Sequence, residues 1–169
     1  MGAKFGTDIA LALVDLVTTR YLFNKFPNAT SGQLSWARSR AVCAPALASV
    51  AVNRLDLHKM ILINNVELSI TISRYVPVLK ETSNIDIIHN GWKQDPPKAI
   101  SDVLESVLGA VFVDCGWDFE KASVVAENVL RDLLVVLTPD MPRDPVSNLM
   151  VWSAQSGCQK ISFRYVTTY

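Results

Sequence analysis

An all-α fold is what this sequence predicts, on three observations. Apolar residues recur at helical spacing through most of its 169 residues, prolines and glycines punctuate that pattern, and only one short segment near the end alternates in the manner of a strand. Half the residues are apolar, so the chain can enclose a sizeable core.

Residues 5–26 place Ile9, Leu13, Leu16, Val17, Leu22 and Phe23 on a helical repeat that stops at Pro27. After a turn at Thr30-Ser31-Gly32, a second helix is expected over 33–52, broken near Pro45 because proline removes a backbone donor. Residues 57–79 continue as helical pieces that stop at Pro77, and the polar, Gly- and Pro-containing stretch 80–97 reads as an exposed loop. Helices follow over 98–113 and 119–137, joined by the DCGWD turn. TPDMPRDP, residues 138–145, holds three prolines and reads as a linker. A short amphipathic helix stopped by Gly157 comes next, then the alternating KISFRYVTTY. That helix and strand are too little for a domain, so residues 146–169 are expected to be mobile or irregularly docked.

Sixteen basic and sixteen acidic residues cancel, which removes the bulk-charge argument for nucleic-acid binding and leaves only local arrangement. Cys43, Cys115 and Cys158 are odd in number and widely spaced, as buried free thiols in a reducing compartment would be. The opening residues lack a signal-peptide pattern, and no apolar stretch is long enough to span a membrane. The expected location is therefore intracellular, cytoplasmic or nuclear, and the Asn28-Ala-Thr30 sequon is a chance match.

The most informative stretch is PPKAISDVLESVLGAVFVDCGW, residues 96–117, where Asp102 and Glu105 interrupt an otherwise apolar helix. At 100° per residue they lie about 60° apart, with Ser106 and Gly109 on the same face. Two readings fit this spacing. Asp102 and Glu105 form a capping box at a helix start, or they are a carboxylate pair that holds a hard divalent ion.

PPKAISDVLESVLGAVFVDCGWDFEKA resembles the second signature of the ribonuclease III family, P-K-x-x-x-D-x-x-E-x-x-x-G-A-x-x-x-D-x-G, and most closely its Dicer branch. VDLVTTRYLFNKFPNATSGQLSWARSRAV is similar to that family's first two helices, and ASVAVNRLDLHKMI to the helix after them. The similarity runs through residues 5–137. DPVSNLMVWSAQSGCQKISFRYV resembles the opening helix and strand of a double-stranded RNA-binding domain. The resemblance implies a ribonuclease III-like domain over 1–137, a linker over 138–145 and a partial RNA-binding domain over 146–169. It also implies a Mg²⁺- (or Mn²⁺-) dependent endoribonuclease of double-stranded RNA that pairs with a second ribonuclease III domain.

By the same resemblance Asp102 and Glu105 are metal ligands and Lys98 is the assisting lysine, with Lys98, Arg38 and Arg40 as candidates for RNA contact. The first signature, E-R-L-E-F-L-G-D-A-V-L-D, is not matched. Aligning VDLVTTRYLF with L-D-L-L-V-T-R-Y-L-F puts Asp15 on the signature's last Asp, which is not a ligand, and the ligand positions on Thr7 and Leu11. Asp8 and Asp15 lie roughly 10.5 Å apart along a helix and cannot replace ligands one turn apart. Pro45 occupies a further acidic position of the family. Half the metal site is thus absent, either through decay or because other residues stand in place of the true motif. The alternative to an enzyme is a catalytically inactive domain kept for dimerisation or RNA scaffolding. The family's dimer contact lies on the first signature helix, so residues 5–16 are expected to expose apolar surface. His58 is expected to be structural, and Trp92 either to cover the core or to contact RNA.

Overall fold

In the computed structural model, which describes residues 2–157 and 161–162 (backbone alone for 2–7), eight α-helices account for most of the described residues. They are α1 (Gly2–Lys25), α2 (Ser31–Ala41), α3 (Ala44–Asn53), α4 (Val66–Glu81), α5 (Asn84–Asn90), α6 (Lys98–Asp114), α7 (Phe119–Leu134) and α8 (Pro145–Gln155). The described residues contain no strand. The alternating C-terminal segment lies outside them except for 161–162.

Each boundary has a chemical cause. Thr30 and Gln33 form a reciprocal capping box that starts α2. The chain breaks after Ala41, and α3 restarts from Cys43 with Pro45 in its first turn, where a missing backbone donor costs nothing. Asp118 and Asp144 cap α7 and α8 through the backbone N–H groups of Lys121 and Ser147. Gly116 and Trp117 turn the chain between α6 and α7 with consecutive φ values of +66° and +64°. Gly157, at φ +69°, lies just past the end of α8, as its expected role of stop requires.

Two elements differ from expectation. Helix α4 runs through Pro77 to Glu81, because Pro77 is on the exposed side and the only backbone bond lost is the one it would have donated to Ser73. The stretch 80–97 is not a loop throughout. It contains α5, capped by Ser83, and a 3-10 turn over Gly91–Lys93. Ile87 and Ile88 of α5 are fully buried, so the segment belongs to the core.

α6 lies between α1 and α3, and α7 packs against both α1 and α6. Helix α3 is the most enclosed, with every residue from Pro45 to Val52 buried. The core joins Leu13, Val14 and Val17 of α1 to Leu104 and Leu108 of α6 and Leu130 and Leu133 of α7. Each such side chain stabilises the fold by about 1.5–3 kcal/mol on burial. α4 is more loosely attached, with only Ile72 and Leu79 buried. No helix is long and apolar enough to cross a membrane among the described residues.

Arg20 bolts α1 to α7. Its guanidinium donates to Glu120 at 2.9 Å, Glu127 at 2.8 Å and the Ser123 hydroxyl at 2.7 Å, and it lies 5.1 Å from the centre of the Phe119 ring. The hydrogen bond to Glu127, opposed by partial desolvation and aided by Glu120, raises its pKa further above the usual range. Cys43 and Cys115 are free thiols, half-buried rather than enclosed, and burial raises the Cys43 pKa. Cys158 lies outside the described residues.

Candidate metal and RNA site

The site begins with the start of α6. Pro97 occupies the N-cap position without a side-chain cap, so the helix opens at Lys98 and Asp102 falls in its second turn. This overturns the capping-box reading of Asp102 and Glu105. Ile100, Leu104 and Leu108 turn the opposite side of α6 into the core, leaving the two carboxylates half-exposed on its outer side. Ser106 beside them is exposed, whereas Gly109 is buried, so the polar face ends there.

Lys98, Asp102 and Glu105 lie together on α6. Lys98 Nζ lies 3.3 Å from Asp102 across one turn. The Glu105 carboxyl is raised above its ordinary pKa, first by desolvation and second by the adjacent Asp102 charge, with Lys98 opposing. Such a pair carries more negative charge than its surroundings neutralise, which is the condition under which hard cations bind oxygen donors. The donor set therefore fits a hydrated divalent ion. It does not fit one held rigidly, because no group of three or more metal-binding side chains gathers among the described residues.

Helix α1, on which the resemblance expects the remaining ligands, packs along α6. Leu11 is 40% exposed, not buried, and Asp8 is exposed in the second turn. The Thr7 side chain lies outside the described residues. Asp15 is engaged elsewhere, 3.7 Å from Arg38 Nε.

The candidate RNA contacts divide. Arg38 is half-exposed, 3.7 Å from Asp15, beside a notch of about 250 Å³ that Thr19, Ser31 and Ser35 also line. Arg40 is a correction: it is only 7% exposed, donates through Nε to the Ile88 carbonyl at 2.9 Å and lies 5.9 Å from the Trp36 ring. It ties α2 to α5 and presents no charge to a ligand. Helical charge spacing alone does not tell an inward arginine from an outward one, because α5 was not legible. Trp92 is also corrected: at 43% exposure it does not cover the core, and Lys93 sits 5.1 Å from its ring. His58 is structural in its surroundings, with Nδ1 buried and unpartnered, Nε2 3.8 Å from Asp56, and its pKa lowered by burial.

A family model described as the ribonuclease III domain matches residues 12–116. Protein Dicer of Schizosaccharomyces pombe is 33% identical over 128 residues, 72% of this chain and 9% of that protein. Endoribonuclease Dicer homolog 2 of Arabidopsis thaliana is 34% identical over 155 residues, 90% of this chain and 10% of that protein. Ribonuclease 3 of Staphylococcus aureus is 33% identical over 130 residues, 75% of this chain and 44% of that protein. The chain thus spans about a tenth of these Dicer relatives and less than half of the bacterial one. The matched region runs from the second half of α1 through the acidic helix to the turn at Gly116, and on that match the chain belongs to the ribonuclease III family.

Proposed function

We propose that this domain serves double-stranded RNA processing of the Dicer type, with α6 supplying one half of a Mg²⁺ (or Mn²⁺) site. The observation that carries the reading is the Asp102–Glu105 pair, half-exposed on a helix whose other face is core, with Lys98 against it. A divalent ion bound there would supply a Lewis acid for a phosphate oxygen. Asp102 and Glu105 would hold it, Lys98 would contact the neighbouring phosphate, and Arg38 would bind the backbone farther along the duplex. With Thr7 and Leu11 in place of acids, no hydrolytic step follows from the residues present. In this reading the chain binds metal and duplex and does not cut.

A second reading, an inactive domain for dimerisation or RNA scaffolding, is favoured by one observation. Leu16 and Phe23 leave an apolar stripe on the outer side of α1, at 52% and 63% exposure, a surface suited to a second ribonuclease III domain. The two readings separate on duplex RNA binding with and without Mg²⁺. Retardation of duplex over single-stranded RNA, strengthened by Mg²⁺ and lost in Asp102→Asn, supports the first. Association of the protein, with RNA binding either absent or indifferent to Mg²⁺ and to Asp102→Asn, supports the second.

A further inference from the structure

Helix α8 has almost no core of its own. Ser153 is its single buried residue, while Val146, Leu149, Met150 and Trp152 are 39–59% exposed. An 11-residue helix is marginal in water, so its order must come from what holds it. Its packing on α2 is thin, because a groove of about 530 Å³ separates Ser35, Trp36 and Ser39 of α2 from Val146, Met150 and Val151 of α8.

The segment before α8 is attached to the helical body at several points. Leu137 is fully buried and Met141 is 5% exposed, so both enter the core. Gln33 Nε2, on α2, donates to Asp140 Oδ1 at 2.9 Å, and Thr138 Oγ1 donates to the Met141 sulfur at 3.4 Å. The Arg143 guanidinium lies 5.9 Å from the Trp36 ring, the same ring that Arg40 approaches at 5.9 Å. Asp144 then accepts from the Ser147 backbone at 2.9 Å and its hydroxyl at 2.6 Å, starting the helix.

We propose that residues 137–144 form a strap, anchored in the core by Leu137 and Met141 and on α2 by Asp140 and Arg143. It holds α8 at a fixed bearing to the helical body. Pro139 and Pro142 stiffen it between its anchors. α8 therefore moves with α2 rather than swinging on a tether, and its exposed apolar face keeps one orientation toward whatever it meets.

Amide hydrogen exchange on the whole chain tests this, because α8 cannot protect its own amides. In the wild type, residues 149–155 should exchange at least about 100-fold more slowly than an unstructured peptide. Arg143→Gln and Asp140→Ala, both at exposed positions, should each speed that exchange about tenfold and leave α7 unchanged. Exchange of α8 at the unstructured rate in the wild type would overturn the strap. So would variants that leave α8 unaltered, or that accelerate α7 and α8 equally, since the latter places α8 opening in global unfolding.

Discussion

Lys98 Nζ stands 3.3 Å from the Asp102 carboxylate, one turn along α6, so a cation of the chain already occupies the side of the acid pair that a metal would approach. Lys98 is 85% exposed, so its hold is weak and a divalent ion competes with it readily. The wild type is expected to bind Mg²⁺ with a dissociation constant on the order of millimolar. Lys98→Ala should tighten that binding by about two- to threefold. Calorimetric titration checks this, and weaker binding in the variant would show that Lys98 supports the ion rather than competing with it.

Glu105 makes stability depend on pH in a defined sense. Desolvation and then the Asp102 charge raise its folded pKa, so the folded chain takes up this proton at higher pH than the unfolded chain. In metal-free buffer, stability should fall as pH rises from the ordinary glutamate range through the raised value, and stay level above it. Glu105→Gln removes that loss. Its melting temperature should exceed the wild type's by about 1–3 °C at neutral pH, with the difference gone below about pH 4. A variant less stable at neutral pH would mean that the ionised carboxylate has a favourable partner.

Arg20 joins α1 to α7 through two carboxylates, a hydroxyl and an aromatic face, at 32% side-chain exposure. Allowing for that exposure, Arg20→Ala should cost about 1–2 kcal/mol in denaturant unfolding. Arg20→Lys should recover less than half of it, since an ammonium cannot span Glu120 and Glu127 with the planar fork. Full recovery by lysine would reduce the contact to simple charge pairing.

The fold was legible where apolar period and punctuation agreed, as in α1, α6, α7 and α8. It was obscured where burial was confined to a few residues. The core-facing Ile87 and Ile88 sit between polar neighbours in α5, and their pattern is too short to show a helical period. Pro77 suggested a stop, but an exposed proline one turn from a helix end costs a single bond that tertiary packing outweighs. At the site, the spacing of Asp102 and Glu105 was readable, yet it did not distinguish a cap from a ligand pair until the position of Pro97 showed where α6 begins. The inward turn of Arg40 depends on the Ile88 carbonyl, 48 residues away, and no local pattern encodes it.

The outer side of α1 carries a testable association surface. Leu16 and Phe23, two turns apart on one stripe, are 52% and 63% exposed. Phe5, included in the expected surface, has its side chain outside the described residues. Sedimentation of the wild type should show self-association at about 100 μM, and Leu16→Glu should weaken it at least tenfold, since a charge at the centre of a symmetric contact is buried twice. A monomer at high concentration would remove the surface from consideration.

On the proposed reading α6 brings half a metal site that the described residues do not complete, so metal binding and phosphodiester cleavage come apart. The most direct measurement is cleavage of a duplex RNA by the unmodified chain in Mg²⁺ or Mn²⁺, with the double variant Thr7→Glu, Leu11→Asp alongside it. The partial exposure of Leu11 lets an aspartate there remain solvated, so that change should leave the fold intact. The account predicts no metal-dependent cutting above background by the wild type and measurable cutting by the double variant. Robust metal-dependent cleavage by the wild type, abolished by Asp102→Ala, would contradict it and show that other acids of the chain complete the site.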